Sequence, residues 1–476
     1  MKIRHGLVLT LALGFGLSAC AGGASSAGGG SAPSPVAGGT VLAQGERPRD
    51  NEETREAKRA LDQASQTEDE AQAQQLYGQA LESAKAGIAA DSTNPLSWRQ
   101  AGVASIGLGQ YQEANRYLSK AEALRPIYTL ETDGIRERAW IDLYNKAIPL
   151  VNSGDYEAAA KVFEDANAIY DKRPEARITL GQIYAQMRED DKALENLDRA
   201  QEIINSDAIE NVDSATAASW KEQGAAIPLT KATVLADAGR FEEAAGIFRQ
   251  IVQEDPDNVP MARNLAAMLI QMGNTEEAFR VYDNLMTRPD LTAGDLYNIG
   301  VGFYQGEAYD KAAEAFGRAA ETSVNDRDAL EMWTRSLQID SAYADVPTPG
   351  ERWIKLDPNN QNAYLILAQA VNQNGDSQRA SELVNQIEAL KVTVNDLQMT
   401  RRDDGARVTG SVLNKNVDPG TQVTLNFTFY DTQGNSVGTA TKQVTVSDTD
   451  TPVQFEVDFS GGTGKVDGYG YTLQVS

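Results

Sequence analysis

A set of small and large residues that returns every 34 positions constrains this chain more than any other feature. With Pro95 as position 1 of a repeat, Trp98 is position 4, Gly102 position 8, Tyr111 position 17, Ala114 position 20, Ala121 position 27 and Pro126 position 32. A repeat opening at Trp140 puts Ala147, Tyr156, Ala159, Phe163 and Ala166 at positions 8, 17, 20, 24 and 27. A third, from Pro174, carries Leu180-Gly181, Tyr184, Ala193, Leu197 and Ala200. Past an insertion near Ser206 to Gln223, starts at 225, 259, 293, 327 and 361 keep the spacing unbroken. Position 20 is then Ala244, Ala278, Ala312 and Ala380, and position 24 is Phe248, Tyr282, Phe316 and Val384. The repeat at Arg327 departs, because Val346-Pro347-Thr348-Pro349-Gly350 falls where its second helix should begin, so that helix must be short or displaced. A weaker repeat starts near Leu61 with Tyr77 and Ala80 in phase, giving seven clear repeats and two degenerate ones.

The spacing has a physical reading. Small residues at positions 8, 20 and 27 let two antiparallel helices approach closely, and large ones at 4, 11, 17 and 24 fill the layer between neighbours. No repeat buries enough alone; stacking does. Gly239-Arg240, Gly273-Asn274 and Gly375-Asp376 supply the left-handed turn between paired helices, and Asp255-Pro256-Asp257-Asn258 links one repeat to the next. These signature positions resemble those of the tetratricopeptide repeat. The resemblance implies a multidomain chain whose residues 51–393 form an all-α superhelical solenoid with a concave, partner-binding face.

In that family ligands lie against positions 2, 5, 9, 12 and 13. Here position 13 is Gln186, Gln271, Gln305 and Gln373, with Arg263, Tyr297, Tyr304, Gln369 and Asn372 nearby on the same face. Amides and tyrosines pair with extended backbone and stack on side chains, so these nine residues form the candidate groove for a protein or peptide partner. The lysines of the subfamily that captures chaperone tails are absent from this face.

Composition narrows the chemistry. The chain has one histidine, His5, inside the export signal described next, and one cysteine, Cys20, at its end, where it is expected to carry the acyl chains. Ser-His-Asp, Cys-His and His-metal chemistries are thereby unavailable, so no catalytic residue, metal site or cofactor is expected. Acidic residues number 68 against 43 basic, a net charge of -25 that repels nucleic acid. Runs such as Glu189-Asp190-Asp191 and Asp403-Asp404 keep a carboxylate-based glycan hydrolase as a remote alternative. Ser447-Asp448-Thr449-Asp450-Thr451 lacks the glycine and glutamate that a calcium loop needs.

Residues 1–19 show a basic start, an apolar run from Leu7 to Leu17 and a small-residue end, a run too short to span a bilayer. Leu17-Ser18-Ala19-Cys20 resembles the bacterial lipoprotein box, which implies cleavage before Cys20 and acyl chains on it. Ala21 after the cysteine favours the outer membrane by the same resemblance, with the periplasmic face the expected side and surface exposure left open. The Gly/Ala/Ser/Pro-rich stretch over 20–50 reads as a flexible tether.

Past Val392, Thr, Val, Gly and Asp replace Ala and Glu. Runs from Val408, Gln422, Ser436, Val453 and Tyr469 alternate in polarity and are separated by Asp418-Pro-Gly, Thr432-Gln-Gly-Asn and Ser460-Gly-Gly. They predict a small all-β, immunoglobulin-like sandwich over 400–476. Phe427-Thr428-Phe429-Tyr430-Asp431 with Gly434 resembles the FxLYD domain of bacterial envelope proteins, and Tyr430 and Asp431 read as a strand-to-turn packing signature. The sequence as a whole thus describes a non-enzymatic, lipid-anchored envelope adaptor acting in assembly, secretion or surface organisation. The alternative is an accessory subunit of an outer-membrane protein insertion or pilus-secretion machine.

Overall fold

The computed structural model describes residues 42–449, 451–462 and 464–476, so the expected export signal, Cys20 and the expected tether as far as residue 41 lie outside the described residues. Among those described, the chain forms eighteen α-helices followed by six β-strands, divided between two compact bodies. One body reaches to Leu143 and takes in Ala168–Tyr170; the other holds Tyr144–Asn167 and Asp171–Ser476.

The first body contains α1 (Glu52–Ala64), α2 (Glu70–Ala90), α3 (Pro95–Gly107), α4 (Tyr111–Leu124), a 3-10 turn at Pro126–Tyr128 and the start of α5 (Thr129–Ser153). Asn51 and Thr54 cap α1 reciprocally, each side chain accepting from the other's backbone N–H at 2.9 Å. Ala57, Ala60, Ala80, Leu81, Ala84, Ala101 and Ala104 form the core, where alanine lets α1, α2 and α3 pack closely. Two expectations are corrected here. The first degenerate repeat has its first helix at Glu52–Ala64, ahead of Leu61, and Tyr77 and Ala80 lie inside the second helix, because the Asn51 cap rather than the hydrophobic phase sets the start. The segment read as tether is also fixed over its last residues: Glu46 N donates to Leu124 O at 2.7 Å, Ile127 N to Ala43 O at 3.2 Å, and Arg125 Nη1 to Gln44 O at 2.9 Å.

The second body continues α5 and adds α6 (Tyr156–Ile169), α7 (Glu175–Gln186), α8 (Asp190–Ile204), α9 (Ser214–Asp237), α10 (Phe241–Glu254), α11 (Val259–Gln271), α12 (Thr275–Met286), α13 (Ala293–Gln305) and α14 (Tyr309–Thr322). Then come α15 (Arg327–Ile339), α16 (Pro347–Leu356), α17 (Gln361–Gln373) and α18 (Ser377–Ala389). The insertion is a 3-10 turn at Asp207–Asn211 and an N-terminal extension of α9, capped by Asp213, which accepts from Ala215 N and Thr216 N at 3.0 Å. α16 is short and starts late, at Pro347, as the prolines require.

Two positional rules explain why the period is 34. Position 8 is glycine at 181 and 300 because position 24 presses on it: a Cβ would meet Leu197 Cγ at 2.6 Å and Phe316 Cδ1 at 2.8 Å. Position 15 sits in the left-handed region in all eight repeats from Pro95 onward. Glycine supplies it at 109, 154, 239, 273 and 375, whereas Arg188, Glu307 and Ser341 adopt φ of 60°, 65° and 63°. Even the irregular repeat at Arg327 keeps its inter-helix turn.

The strands are β1 (Val392–Arg402), β2 (Gly405–Asn414), β3 (Gln422–Tyr430), β4 (Ser436–Thr445), β5 (Pro452–Ser460) and β6 (Gly468–Val475). They form two antiparallel sheets, ordered β1-β2-β5 and β4-β3-β6, closed over Val408, Phe427, Phe429, Phe455, Val457 and Tyr469. The domain begins at Val392, not 400. β1 escaped the sequence reading because a bulge between Asn395 and Gln398, with Asp396 at φ 54°, breaks its alternation. Six strands are one fewer than the immunoglobulin constant type. Asp431 closes the β3–β4 turn by accepting from Asn435 N at 2.8 Å and Asn435 Nδ2 at 3.0 Å.

Candidate interaction face and the solenoid–sandwich junction

Gln186, Gln271, Gln305 and Gln373 are the last residues of α7, α11, α13 and α17. All four are exposed, and among the described residues their side chains make no hydrogen bond. The helix C-terminus explains this placement, since position 13 precedes the left-handed turn and points past the packed layer.

The other five predicted residues divide into two groups. Arg263 on α11 reaches Asp295 Oδ1 at 3.4 Å, and Asp295 belongs to the capping box of α13. On α13, Tyr297 packs edge-on against Phe316 with ring centroids 5.3 Å apart, and Tyr304 meets Tyr309 the same way at 5.2 Å. Burial pushes both phenols up, most strongly Tyr297, so Tyr297 serves the layer between repeats as much as the surface. In the second group, Gln369 on α17 accepts from Gln338 Nε2 at 2.7 Å and donates to Tyr343 Oη at 3.3 Å, and Asn372 accepts from Ser377 Oγ at 3.0 Å. Gln186 stands apart on its own hairpin.

A shallow cleft of about 530 Å³ lies among α8, α9 and α10, lined by Asp191, Glu195, Asp198, Lys231, Arg240 and Glu243. Its cations are already engaged: Lys231 with Asp198, and Arg240 with Asp191 at 3.1 Å and Glu243 at 2.7 Å. No cluster of three or more His, Cys, Asp or Glu placed to hold a metal ion occurs among the described residues.

A densely bonded buried polar cluster was not foreseen. Arg327 is fully buried and donates from Nε at 3.0 Å and Nη2 at 2.7 Å to Asp357 Oδ2, while Nη1 pairs with Asp328 at 2.9 Å and Glu331 at 2.5 Å. The rings of β6 complete it: Tyr471 Oη donates to Asp357 Oδ1 at 2.8 Å and Tyr469 Oη to Asp328 Oδ1 at 3.0 Å. Arg401 of β1 donates to Asp326 Oδ2 at 2.9 Å and to Asp467 O at 2.7 Å. Val394 N donates to Asn359 O at 3.0 Å and Asn359 Nδ2 to Val392 O at 3.1 Å.

The sandwich is therefore docked on the linkers before α15 and α17. Burial, with Asp328 adding, pushes the Asp326 carboxyl up to about 6 against the opposing pull of Arg401. Glu331 is also buried, yet Arg327 and Arg335 hold it below the usual carboxylate range. The irregularity of the repeat at Arg327 was the signal for this junction: α16 is displaced where β6 packs on it, and a Cβ on Gly470 would meet Leu356 Cδ2 at 3.0 Å.

These observations define the class: a tetratricopeptide-like helical solenoid followed by a C-terminal antiparallel β region, a fold whose usual business is binding protein or peptide partners rather than catalysis. Residues 150–214 and 235–286 match the family model described as the tetratricopeptide repeat. No curated protein matches the chain. Among solved structures, the C-terminal part of a TPR repeat-containing protein from Cytophaga hutchinsonii is 18% identical over 52% of this chain and 95% of its own, with a TM-score of 0.40. A tetratricopeptide repeat protein from Parabacteroides merdae is 19% identical over 60% of this chain and 99% of its own, at 0.26. YrrB, titled a TPR protein with an unusual peptide-binding site, is 16% identical over 49% of this chain and 93% of its own, also at 0.26. At these scores none of them bears on what this chain binds.

Proposed function

We propose that the protein is a non-enzymatic, lipid-anchored adaptor of the cell envelope that holds a protein or peptide partner against the first helices of its repeats. The observation that carries the binding half is the set Gln186, Gln271, Gln305 and Gln373, four amides at one repeat position, each exposed and, among the described residues, without a side-chain hydrogen bond. Amides offer a donor and an acceptor together and suit an extended backbone. Support for the anchor is the Leu17-Ser18-Ala19-Cys20 box after a short apolar run, and Ala21 favours the outer membrane. Support for an FxLYD-type sandwich is the Phe427–Asp431 run, whose two phenylalanines are fully buried.

The test is crosslinking and capture from intact cells with three forms: wild type, Cys20→Ser, and Gln271→Ala with Tyr304→Ala and Gln305→Ala. The expected result is one partner captured by wild type and lost from the triple variant, with labelled fatty acid incorporated into wild type and not into Cys20→Ser. Undiminished capture by the triple variant would sink the groove, and fatty-acid labelling of Cys20→Ser would sink the anchor.

A further inference from the structure

Three linkers between a second and a first helix share the pattern Asp-x-x-Asn: Asp91–Asn94 before α3, Asp255–Asn258 before α11, and Asp357–Asn360 before α17. The last residue caps the following helix in each case, accepting from Leu96 N at 3.2 Å, Met261 N at 3.3 Å and Asn362 N at 3.1 Å. Capping explains the asparagine. It does not explain what lies on the linkers.

Two of the three are covered by extended segments of this same chain. Asn94 accepts from Arg49 N at 3.1 Å and donates from Nδ2 to Arg49 O at 2.9 Å, so one amide reads both polar groups of one extended residue. The Arg49 guanidinium pairs with the Asp91 carboxylate and stands 3.4 Å from Thr93 Oγ1. At the third linker Asn359 holds β1, donating to Val392 O and accepting from Val394 N. Two of these linkers thus hold main chain from a segment far away in sequence, the first through its capping Asn94 and the third through Asn359 while Asn360 Nδ2 stays on Asp357 Oδ2 at 2.8 Å, and the first also takes an arginine on Asp91.

The middle linker leaves its aspartates in solvent, with Asn258 half-buried. Asp255, Pro256 and Asp257 are exposed, and the two groups that grip Arg49 elsewhere here bond each other, Asn258 Nδ2 to Asp255 Oδ2 at 3.1 Å. Asp257 adds a second carboxylate whose side chain is 89% exposed; its partner among the described residues, Arg288, is shared with Asp290. The linker lies two repeats before the sandwich dock at Val324–Asp326, where Val324 N donates to Thr432 O at 3.2 Å. We propose that Asp255–Asn258 is a docking site for an extended, arginine-bearing segment of a partner protein, with Asn258 pairing to the segment's main chain and Asp255 taking the guanidinium.

The chain supplies its own probe, the eight-residue peptide Ala43–Asp50, fluorescently labelled and titrated into the full-length protein. The expected result is saturable anisotropy that weakens with added salt and falls about tenfold or more in Asp255→Asn, in Asn258→Ser and with an Arg49→Ala peptide. Serine preserves the helix cap, so unchanged helical circular dichroism separates lost binding from lost folding. Binding is expected to survive Asn94→Ser and the Gln271, Tyr304 and Gln305 triple variant, which keeps this result independent of the groove. Equal binding by both linker variants, equal binding by the Arg49→Ala peptide, or no binding at about 1 mM peptide would each overturn the proposal.

Discussion

The Tyr471 hydroxyl donates to Asp357 Oδ1 at 2.8 Å, a buried bond between a strand of the sandwich and a linker of the solenoid 114 residues earlier. The other oxygen of Asp357 holds Arg327, which holds Glu331 and Asp328, and Asp328 accepts the hydroxyl of Tyr469. The two structural classes in this chain therefore share one continuous buried network. A charge taken from water is tolerated only while its partners remain, so undocking the sandwich would expose the faults of the solenoid as well.

Tyr471→Phe leaves a buried carboxylate oxygen short of its donor, and the loss should be about 1–3 kcal/mol. Amide hydrogen exchange of α15 to α17 and β6 in the full-length protein reads it locally. Unchanged protection would mean that Asp357 is satisfied without the strand.

Arg327→Met should cost more, about 3–5 kcal/mol, because it strands buried Asp357 without its cation and leaves Glu331 only Arg335. Arg335→Met, whose side chain is 34% exposed, should cost about 1 kcal/mol or less. Urea melts monitored by tryptophan fluorescence would rank them, since Trp353 lies 5.6 Å beneath both guanidinium groups. The reverse ranking would remove Arg327 from the centre of the junction.

The burial of Asp326 gives the junction a pH dependence. Its folded carboxyl is pushed up to about 6, whereas an unfolded aspartate titrates near about 3.9. Between those values the folded chain holds the extra proton, so this contribution is full below about pH 4 and is lost as pH rises through about 6. Asp326→Asn keeps an oxygen for the Asp328 and Ala329 N–H groups and removes the titration. Wild-type stability minus variant stability should fall between pH 4 and pH 7; a rise would refute the assignment. Glu331, held low, slopes the other way and cancels in the difference.

Gly300→Ala should destabilise α13 and α14 by a net of about 1–2 kcal/mol, because the added methyl overlaps the fully buried ring of Phe316 by more than alanine's helix preference recovers. Thermal melts would show it. A neutral result would mean that the ring can slide.

Glu307→Gly should do the opposite. Its φ of 65° is a conformation glycine adopts freely, so the substitution should stabilise the turn by about 0.5–1 kcal/mol. Stability below wild type would show that the Glu307 side chain contributes a contact outweighing its strain.

Much of the fold was legible because its determinants are local and repeated. Ala244, Ala278, Ala312 and Ala380 lie at one position for one reason, and the helix starts at Val259 and Ala293, and at Thr275 and Tyr309, keep the period. The first helix at Glu52 and the strand at Val392 were missed where a local device overrode periodicity, a cap in one case and a bulge in the other. The candidate face was legible in part. Its glutamines project as their position implies, but the sequence could not show that Tyr297 is pressed against Phe316 or that Gln369 is engaged by Gln338 and Tyr343.

The amino-acid sequence alone determined the repeat, its register, the loss of regularity at Arg327 and the change to strands, because each depends on neighbours within one or two turns. Only the tertiary structure decided what that irregular repeat is for. Arg327, Asp357, Tyr469 and Tyr471 carry no shared spacing; they are brought together by the docking of β6 on α16, and their meaning lies in being buried together, which spacing along a chain cannot encode.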